Sequence, residues 1–525
     1  METTKPSFGP LDDVKVVYSA VEIAAPTAAE IMAEWGADVT WIENTWTGDS
    51  MRDTTWTKEM ERRNQRSISI NTFSDEGKEI LLRLVEDADI FIEASKGPTF
   101  ARKGITDDML WEANPKLVIV HVSGFGQWGD PERVNSAAYD LTVAAYAGII
   151  AQNGTPEQPT NIAPYSGDYF NSLMIVSSAL AALHKAKATG RGESIDLAMY
   201  ETLLRVGTYY MMDYLNEGTL YPRPGARHQN LCAIGEYKCK DGYIGLCVYG
   251  VPQNKYLLET IGLGDLWGTE DYPEDTSALW LDGPKAQLIE RKLEEYLATQ
   301  NKADVQRDFT AHRIAAQAVN EFADILAEDH VDKRECFIEW ESADGRKVRG
   351  LNTFPKFSRN PGAFWRPTPP LGYDTRDVLR RAGFDDEDIE RFEASGNVRF
   401  GDYNDSELVY LAPNAAFFWN ATNPQILQLR AQWRGIASTK AQFTALVEEV
   451  GRCNATRSGP KAYLAPLEDG IRYGLGAECN IIVMSGLPPA QLDTFFETAM
   501  SMIMSFFTDV EAALPDFVDW NEEER

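Results

Sequence analysis

The chain has 525 residues, of which 80 are acidic and 50 are basic, so its formal net charge is −30. This length predicts more than one domain, and the apolar content of 44% is ordinary for a globular protein. The acidic excess argues against a general nucleic-acid binder or a protein bound to anionic membranes, because both need a positive field. The net charge is compatible with a local basic pocket for a phosphorylated ligand.

Cysteine and histidine spacing predicts neither a disulfide framework nor a metal site. The six cysteines include no C-x-x-C pair, and the five histidines show no metal-ligand spacing. The N-terminal METTKPSFGP lacks a signal-peptide pattern. No apolar run approaches the roughly 20 residues that a membrane helix needs. We therefore expect a cytoplasmic protein with no membrane or nucleic-acid partner and no bound metal.

Strands and helices alternate through the first part of the chain, which predicts an α/β fold with a parallel sheet covered by helices on both faces. A longer helix runs from Asp168 to about Lys187, and TGRGE breaks it. The other elements that the pattern predicts are strands at 14–20, 38–44, 89–95 and 116–126 and helices at 26–37 and 75–88.

The middle of the chain changes pattern after YPRPGARHQ (221–229), which has the composition of a linker. Asp241-Gly242 between two strand-like runs is a strong hairpin signal, and 225–330 reads as a smaller α+β domain. The Pro-rich stretch 355–375 predicts an extended segment, followed by two short helices. We assign 1–220 to a large domain to which 331–400 returns.

The pattern of apolar residues predicts an additional C-terminal α/β unit over residues 402–525. AAFFWNA and QILQLRAQWRG predict a hairpin with its turn at Thr422-Asn423-Pro424. An amphipathic helix follows with Ser438 as its N-cap, then strands at KAYLAPL and NIIVMSG, and a long Met/Phe-rich helix closes the unit.

The nucleotide-binding fingerprints are missing. No G-x-G-x-x-G follows the first strand, where the turn reads SAVEIAAP, and no G-x-x-x-x-G-K-[ST] occurs. This lowers the case for a dehydrogenase or an ATPase.

Asp168 in PYSGDYF begins the long helix, and two interpretations of it are compatible. As an N-cap or first-turn acid it stabilises the helix by about 1 kcal/mol. The same position favours the charged carboxylate, which predicts an ionised group that can act as a covalent nucleophile. Gly167 before it lets a ligand approach the backbone closely.

Two basic runs stand out in this acidic chain. Each alone is ordinary surface charge, whereas together, at the ends of strands in a parallel sheet, they suit a ligand with several phosphates, such as coenzyme A. SKGPTFARKG contains Lys96, Arg102 and Lys103, and ERRNQRS contains Arg62, Arg63 and Arg66.

Across about residues 5–400 the chain resembles the family III CoA-transferases, and within them the carnitine type. The resemblance rests on many motifs in order: FGPLDDVKVVYSAVEIAAP, AEWGADVTWIEN, FIEASKGPTFARKGIT, NPKLVIVHVSGFGQWGDP, PYSGDYF, ALAALHKAKATGRGESIDLAMYE and PKFSRNPGAFWR. It implies a Rossmann-like large domain, a small domain and two interlocked rings in a homodimer. Residues 402–525 have no counterpart in the typical enzyme.

The resemblance also implies a site and a reaction. Asp168 matches the catalytic aspartate, which forms aspartyl–acyl anhydride and aspartyl–CoA intermediates, with nearby backbone N–H groups as oxyanion donors. Lys96 matches a CoA-contacting lysine. Lys103 stands where a relative has arginine, so a bidentate phosphate grip is lost and Arg102 could compensate. No permanent cofactor is implied, since CoA thioesters are the substrates.

The carnitine type moves CoA between γ-butyrobetainyl-CoA or crotonobetainyl-CoA and L-carnitine. A trimethylammonium group favours aromatic faces, and Trp35, Tyr165 and Tyr169 lie in suitable segments. The racemases of the superfamily carry G-H-D where this chain has Ala138-Tyr139-Asp140, which argues against a racemase. A transferase for another acid, such as a bile acid or a dicarboxylate, and a non-catalytic acyl-CoA sensor remain as alternatives.

Overall fold

The computed structural model describes residues 4–45, 47–54, 56–401, 407–412, 414–420, 426–467, 472–482 and 489–518. The strands up to residue 401 are β1 (Lys15–Ser19), β2 (Asp38–Glu43), β3 (Arg66–Ile70), β4 (Ile90–Ala94), β5 (Val118–Ser123), β6 (Glu193–Ala198), β7 (Ile234–Cys239), β8 (Gly242–Cys247), β9 (Ala315–Ala318), β10 (Phe337–Glu341), β11 (Lys347–Leu351) and β12 (Val398–Arg399). The helices of this part are α1 (Ala24–Glu34), α2 (Thr57–Glu61), α3 (Asp75–Val85), α4 (Thr99–Arg102), α5 (Asp107–Ala113), α6 (Pro131–Val134), α7 (Asp140–Tyr146), α8 (Ile149–Gln152), α9 (Ser166–Thr189), α10 (Met199–Val206), α11 (Thr208–Glu217), α12 (Val251–Thr260), α13 (Ala286–Leu297), α14 (Lys302–Ala311), α15 (Phe322–Leu326), α16 (Asp329–Lys333), α17 (Thr375–Arg381) and α18 (Asp386–Ser395).

The main sheet has seven strands in the order β12-β3-β2-β1-β4-β5-β6. All neighbouring pairs are parallel except β12, which runs antiparallel to β3. The central strands β1, β4 and β5 are mostly apolar on both faces because helices cover both faces of the sheet. This order is that of the doubly wound dinucleotide-binding folds, and it confirms the predicted Rossmann-like α/β fold.

Helices α1 and α9 pack against one face of the sheet, and α3, α5, α17 and α18 against the other. Small side chains on α1, such as Ala28 and Ala29, let α9 approach closely. Since α9 connects the parallel strands β5 and β6, it runs antiparallel to them. Its first turn therefore lies at the carboxyl edge of the sheet, where ligands bind in such folds.

Two strands of this sheet, β3 and the short β12, were not predicted from the sequence. The run RSISI of β3 overlaps the basic run ERRNQRS, which we placed at the end of a strand, so the strand that begins at Arg66 went unrecognised. The predicted helix starting at Asp168 begins two residues earlier, at Ser166.

A second, smaller unit is built on the antiparallel sheet β7-β8-β9. Its core joins strand residues Tyr237 and Ile244 to Leu257 of α12, Ile289 of α13 and Phe309 of α14. Cys239 pairs with Gly242, so the predicted hairpin is present with a two-residue turn at Lys240 and Asp241.

The chain then returns to the main sheet. Between β11 and α17 the described chain is extended, as the Pro-rich composition predicts. Buried Arg366 anchors it, since its Nη1 donates to Asp374 Oδ1 over 2.9 Å and its Nε donates to Gln65 O over 2.8 Å. The two short helices predicted after this segment are α17 and α18.

The C-terminal region is a further α/β unit with its own core. Its elements are β13 (Glu407–Ala412), β14 (Ala415–Asn420), β15 (Ile426–Ala437), α19 (Lys440–Thr456), β16 (Lys461–Pro466), β17 (Tyr473–Ile482) and α20 (Pro489–Ala513). The strands form an antiparallel sheet in the order β13-β14-β15-β17-β16. Apolar side chains of one sheet face, including Phe417, Leu429 and Trp433, pack with Ile503 and Phe507 of α20.

Two details of this unit differ from the prediction. The N-cap of α19 is Thr439 rather than Ser438, because Thr439 Oγ1 accepts from Gln442 N over 3.2 Å and Gln442 Oε1 accepts from Thr439 N over 3.1 Å. Strand β17 begins at Tyr473, earlier than the NIIVMSG run. The β14–β15 hairpin is confirmed, and its predicted turn at Thr422-Asn423-Pro424 lies outside the described residues.

Among the described residues, no helix is long and apolar enough to cross a membrane. The same residues contain no group of three or more His, Cys, Asp or Glu side chains that could hold a metal ion.

Candidate active site

Asp168 lies in the first turn of α9, at the carboxyl edge of the sheet, with its side chain half-buried. The residues on either side of the site have unusual backbone conformations. Tyr165, before the helix, has φ 59°, and Glu22, in the loop after β1, has φ 67°. Non-glycine residues in the left-handed region cost of order 1 kcal/mol or more and cluster at functional sites.

Asp140 fixes the start of α9 from a distance. Its buried carboxylate accepts from Gly167 N over 2.7 Å and from Asp168 N over 3.2 Å. A Cβ at position 167 would lie 2.7 Å from Asp140 Oδ1 and 3.2 Å from Leu203 Cδ1, so only glycine fits there without movement. Asp140 thereby takes the role of helix cap that the sequence suggested for Asp168.

Burial, together with the nearby carboxylates of Asp140 and Glu22, raises the pKa of Asp168 to about 7. This is opposite to the expectation that the helix N-terminus would hold Asp168 in its charged form. The reason is that the first backbone N–H groups of α9 bind Asp140 and not Asp168. A carboxylate with a raised pKa is a stronger base and nucleophile when it is ionised, and such groups mark functional sites.

The backbone N–H groups of residues 166–169, beside Asp168, all have hydrogen-bond partners within the protein. Ser166 N donates to Ala163 O over 3.3 Å, and Tyr169 N donates to Tyr165 O over 3.1 Å. The N–H groups of positions 167 and 168 bind Asp140. Donors for an oxyanion must therefore come from other segments.

Tyr169 follows Asp168 and is anchored to a second acid, Glu61. Its hydroxyl donates to Glu61 Oε1 over 2.9 Å, and Thr27 Oγ1 also donates to the Glu61 carboxylate. Burial and Glu61 hold the pKa of Tyr169 above its ordinary value, so the hydroxyl stays protonated. The rings of Tyr165 and Tyr169 are 55% and 40% exposed beside Asp168, which leaves aromatic surface for a ligand.

Trp35, which the sequence analysis grouped with Tyr165 and Tyr169, does not lie near Asp168. It ends α1, at the opposite edge of the sheet from Asp168, where its Nε1 donates to Phe354 O over 3.0 Å and its ring contacts Phe357 edge-on.

The predicted CoA-binding residues lie on the loop and short helix that follow β4. Lys96 is exposed, and among the described residues its ammonium group makes no ion pair. Arg102 is engaged within the loop: Nη1 donates to Asn135 Oδ1 over 2.8 Å and Nη2 donates to Lys96 O over 3.3 Å. Lys103 is exposed, with Nζ 5.9 Å from the centre of the Phe73 ring.

The strand order brings the Asp168 region and the predicted CoA-binding loop to the same edge of the sheet. Because β1 and β4 are neighbours, the Glu22 loop and the Lys96 loop leave the sheet side by side. The strand order changes direction at this point, which is where ligands bind in open α/β sheets. Asp168 reaches the same edge through α9.

The second basic run does not join this site. Its arginines are at most 2% exposed, and each is paired with an acid inside the protein, so none is available to a phosphate. The ion pairs, with N···O distances of 2.5, 3.2 and 3.0 Å, are Arg62–Asp49, Arg63–Glu30 and Arg66–Asp38.

Three acids of the site, Glu22, Glu61 and Asp140, were not singled out at the sequence level. Glu22 could have been found, since an acid directly after the first strand of a parallel sheet lies at its binding edge. Asp140 stood in the Ala138-Tyr139-Asp140 motif, where only the tyrosine drew attention. Tyr139 itself is 67% exposed.

Solved structures share this fold. A CAIB/BAIF family protein from Brucella suis is 26% identical with a TM-score of 0.60, over 72% of this chain and 100% of that chain. Rv3272 from M. tuberculosis is 23% identical with a TM-score of 0.62, over 71% of this chain and 100% of that chain, a likeness of fold alone.

Family models match both parts of the chain. Residues 414–512 match the YbjN family, provisionally described as a bacterial sensory transduction regulator. Residues 11–375, more than half of the chain, match the model of CoA-transferase family III. The chain therefore belongs to the family III CoA-transferases.

Proposed function

We propose that this enzyme moves CoA between a betaine acyl-CoA, γ-butyrobetainyl-CoA or crotonobetainyl-CoA, and L-carnitine, with Asp168 as the covalent nucleophile. The observation that carries the proposal is the setting of Asp168, whose carboxyl group is half-buried at the ligand-binding edge among other acids, with its pKa raised to about 7. A group that titrates near neutrality is available as a carboxylate and is strongly nucleophilic.

The reaction consists of four acyl transfers. The Asp168 carboxylate attacks the thioester carbonyl and CoA leaves as a thiolate, which gives a mixed anhydride. The thiolate attacks the aspartyl carbonyl and releases the first acid. The incoming carboxylate then attacks the aspartyl–CoA thioester and frees the thiolate again. The thiolate finally attacks the new acyl carbonyl, so that the product acyl-CoA leaves and Asp168 is regenerated.

The charge around Asp168 supports a cationic acyl group. Glu22 and Asp140 both act on Asp168 as negative charges. A third acid, Glu61, accepts a hydrogen bond from the hydroxyl of Tyr169, the residue after Asp168. A trimethylammonium group would be attracted to these carboxylates and to the exposed tyrosine rings. A dicarboxylate would bring a further negative charge into the same field.

The other end of the site suits the anionic part of CoA. We propose that Lys96 and Lys103 contact the phosphates of CoA. Arg102 supports the backbone of Lys96 through its hydrogen bond to Lys96 O. Arg102 could contact a phosphate only after its hydrogen bond to Asn135 is broken. Binding to two lysines is binding to point charges, without the bidentate geometry of arginine.

We also propose that the working enzyme is the homodimer that the family resemblance implies. Apolar side chains on α9 and α11, including Leu173, Met212 and Leu215, are 55 to 67% exposed in the single chain. Exposed apolar surface of this kind marks protein interfaces. Light scattering during size-exclusion chromatography should give twice the chain mass.

Transfer can be tested with crotonobetainyl-CoA and free L-carnitine, with thioesters followed by liquid chromatography and mass spectrometry. Carnitinyl-CoA should form with the wild type and not with Asp168→Ala, while Asp87→Ala, an exposed acid before β4 at the opposite edge of the sheet, serves as the control. A bile acid and a dicarboxylate offered as acceptors distinguish the other transferases. Tight acyl-CoA binding without turnover would instead favour an acyl-CoA sensor, a role to which the YbjN match of residues 414–512 gives some support.

A further inference from the structure

A buried chain of polar contacts lies on the sheet face opposite Asp168. Glu93 of β4 is fully buried and pairs in register with His121 of β5. His121 Nδ1 lies 2.7 Å from Glu93 Oε1, and Nε2 lies 2.9 Å from Asp107 Oδ1 at the start of α5.

Both ring nitrogens of His121 face carboxylate oxygens, so both carry a proton and the ring is an imidazolium. Burial opposes the charge, but the hydrogen bonds to Asp107 and Glu93 outweigh it and raise the pKa of His121 to about 9. The ring therefore places a positive charge beside the buried carboxyl group of Glu93.

The chain of contacts ends at the loop that follows β4. The second oxygen of Glu93 accepts from Ser95 Oγ over 2.5 Å, and Ser95 N donates to Val122 O over 3.2 Å. Ser95 directly precedes Lys96. On the other side, Thr99 Oγ1 donates to Lys96 O over 2.6 Å. The backbone of Lys96 is thus held on both sides, while its side chain is exposed.

We propose that His121 is a positioning residue that acts through Glu93 and Ser95 to hold the loop presenting Lys96 to the phosphates of CoA. The inference rests on the proposed CoA contact of Lys96. The network of His121, Glu93 and Ser95 contributes no group to the reaction. It holds the backbone of Lys96 in place before the ligand binds, and pre-organisation of this kind strengthens binding.

The test is the affinity of coenzyme A itself, measured by calorimetry, which needs no turnover. Ser95→Ala cuts the link to the loop and leaves the buried ion pair intact; Ser95→Thr keeps the hydroxyl as its control. We expect Ser95→Ala and His121→Gln each to weaken binding about fivefold, the factor that one ordinary hydrogen bond gives. Ser95→Thr should bind as the wild type does.

Lys96→Ala separates positioning from general loosening of the fold. If the network acts through Lys96, Ser95→Ala should weaken binding no further in that background. Wild-type affinity in Ser95→Ala, equal weakening in both backgrounds, or no effect of Lys96→Ala would each overturn the proposal. If His121→Gln fails to fold, the serine variants carry the test. A protein that binds CoA but transfers nothing refutes the proposed function while these affinities still decide the positioning role.

Discussion

Replacing Asp168 by asparagine should stabilise the fold at neutral and alkaline pH. The ordinary pKa of the carboxyl group is 3.8, and in the folded chain burial, Asp140 and Glu22 raise the pKa to about 7. Below pH 3.8 the group is protonated in both states. Between 3.8 and about 7 the unfolded chain loses the proton while the folded chain keeps it, so the free energy of unfolding falls as pH rises.

The two pKa values differ by about 3, which corresponds to about 4 kcal/mol. Because the carboxyl group is only half-buried and water screens part of the interaction, we expect about half of this, about 2 kcal/mol. An asparagine side chain has the same shape as aspartate without the charge, so Asp168→Asn should gain that amount near pH 8. Near pH 5 the gain in stability should be less than half as large, because pH 5 lies less than halfway between the pKa of Asp168 in the unfolded chain, 3.8, and its pKa in the folded chain, about 7.

Urea unfolding of both proteins at the two pH values measures these differences. Asp13→Asn is the control of opposite sign, because a hydrogen bond from Lys187 lowers the pKa of Asp13. That group adds stability above its ordinary pKa and loses it in acid, so its removal should not stabilise the protein near pH 8. An Asp168→Asn variant that is less stable than the wild type at both pH values would refute the reasoning.

Three further predictions concern the site itself. The rate constant kcat/KM should rise with pH through about 7 as Asp168 ionises, and Asp140→Asn should move this rise to lower pH; an unmoved profile would show that another group titrates. Gly167→Ala should cut kcat sharply and destabilise the fold by about 1 to 3 kcal/mol, because its Cβ displaces Asp140; normal kinetics and stability would argue against that contact. Lys96→Ala should raise KM for acyl-CoA with little change in kcat, whereas exposed Lys116→Ala should change neither; equal effects of the two would remove Lys96 from the CoA site.

Much of the fold follows from local patterns in the sequence. The strands β1, β2, β4 and β5 are apolar runs, and α1 and α3 show helical periodicity, so their order alone predicts a parallel sheet. Strand β3 was missed because it begins with Arg66, whose charge is neutralised by Asp38, 28 positions earlier. Burial of an arginine through a distant partner is not visible in a local pattern.

The candidate site also depends on contacts between residues that are far apart in the sequence. Asp168 was found because PYSGDYF resembles the family motif and because an acid precedes a long helix. Its raised pKa depends on burial and then on the carboxylates of Asp140 and Glu22, and all three arise from the packing of α9 against α7 and α1. The sequence offered both Arg62 and Asp168 as candidates for a binding edge, and only the fold separates the buried ion pair of Arg62 from the partly exposed carboxyl group of Asp168.

The most direct test of the central claim is to find the covalent intermediate. The wild-type protein is incubated with crotonobetainyl-CoA alone, digested, and the peptide that contains Asp168 is examined by mass spectrometry, with hydroxylamine added to a parallel sample. We expect a CoA thioester on Asp168 that hydroxylamine converts to a hydroxamate at the same residue. An enzyme that transfers CoA with no adduct there, or with the adduct on another carboxylate, would contradict this expectation.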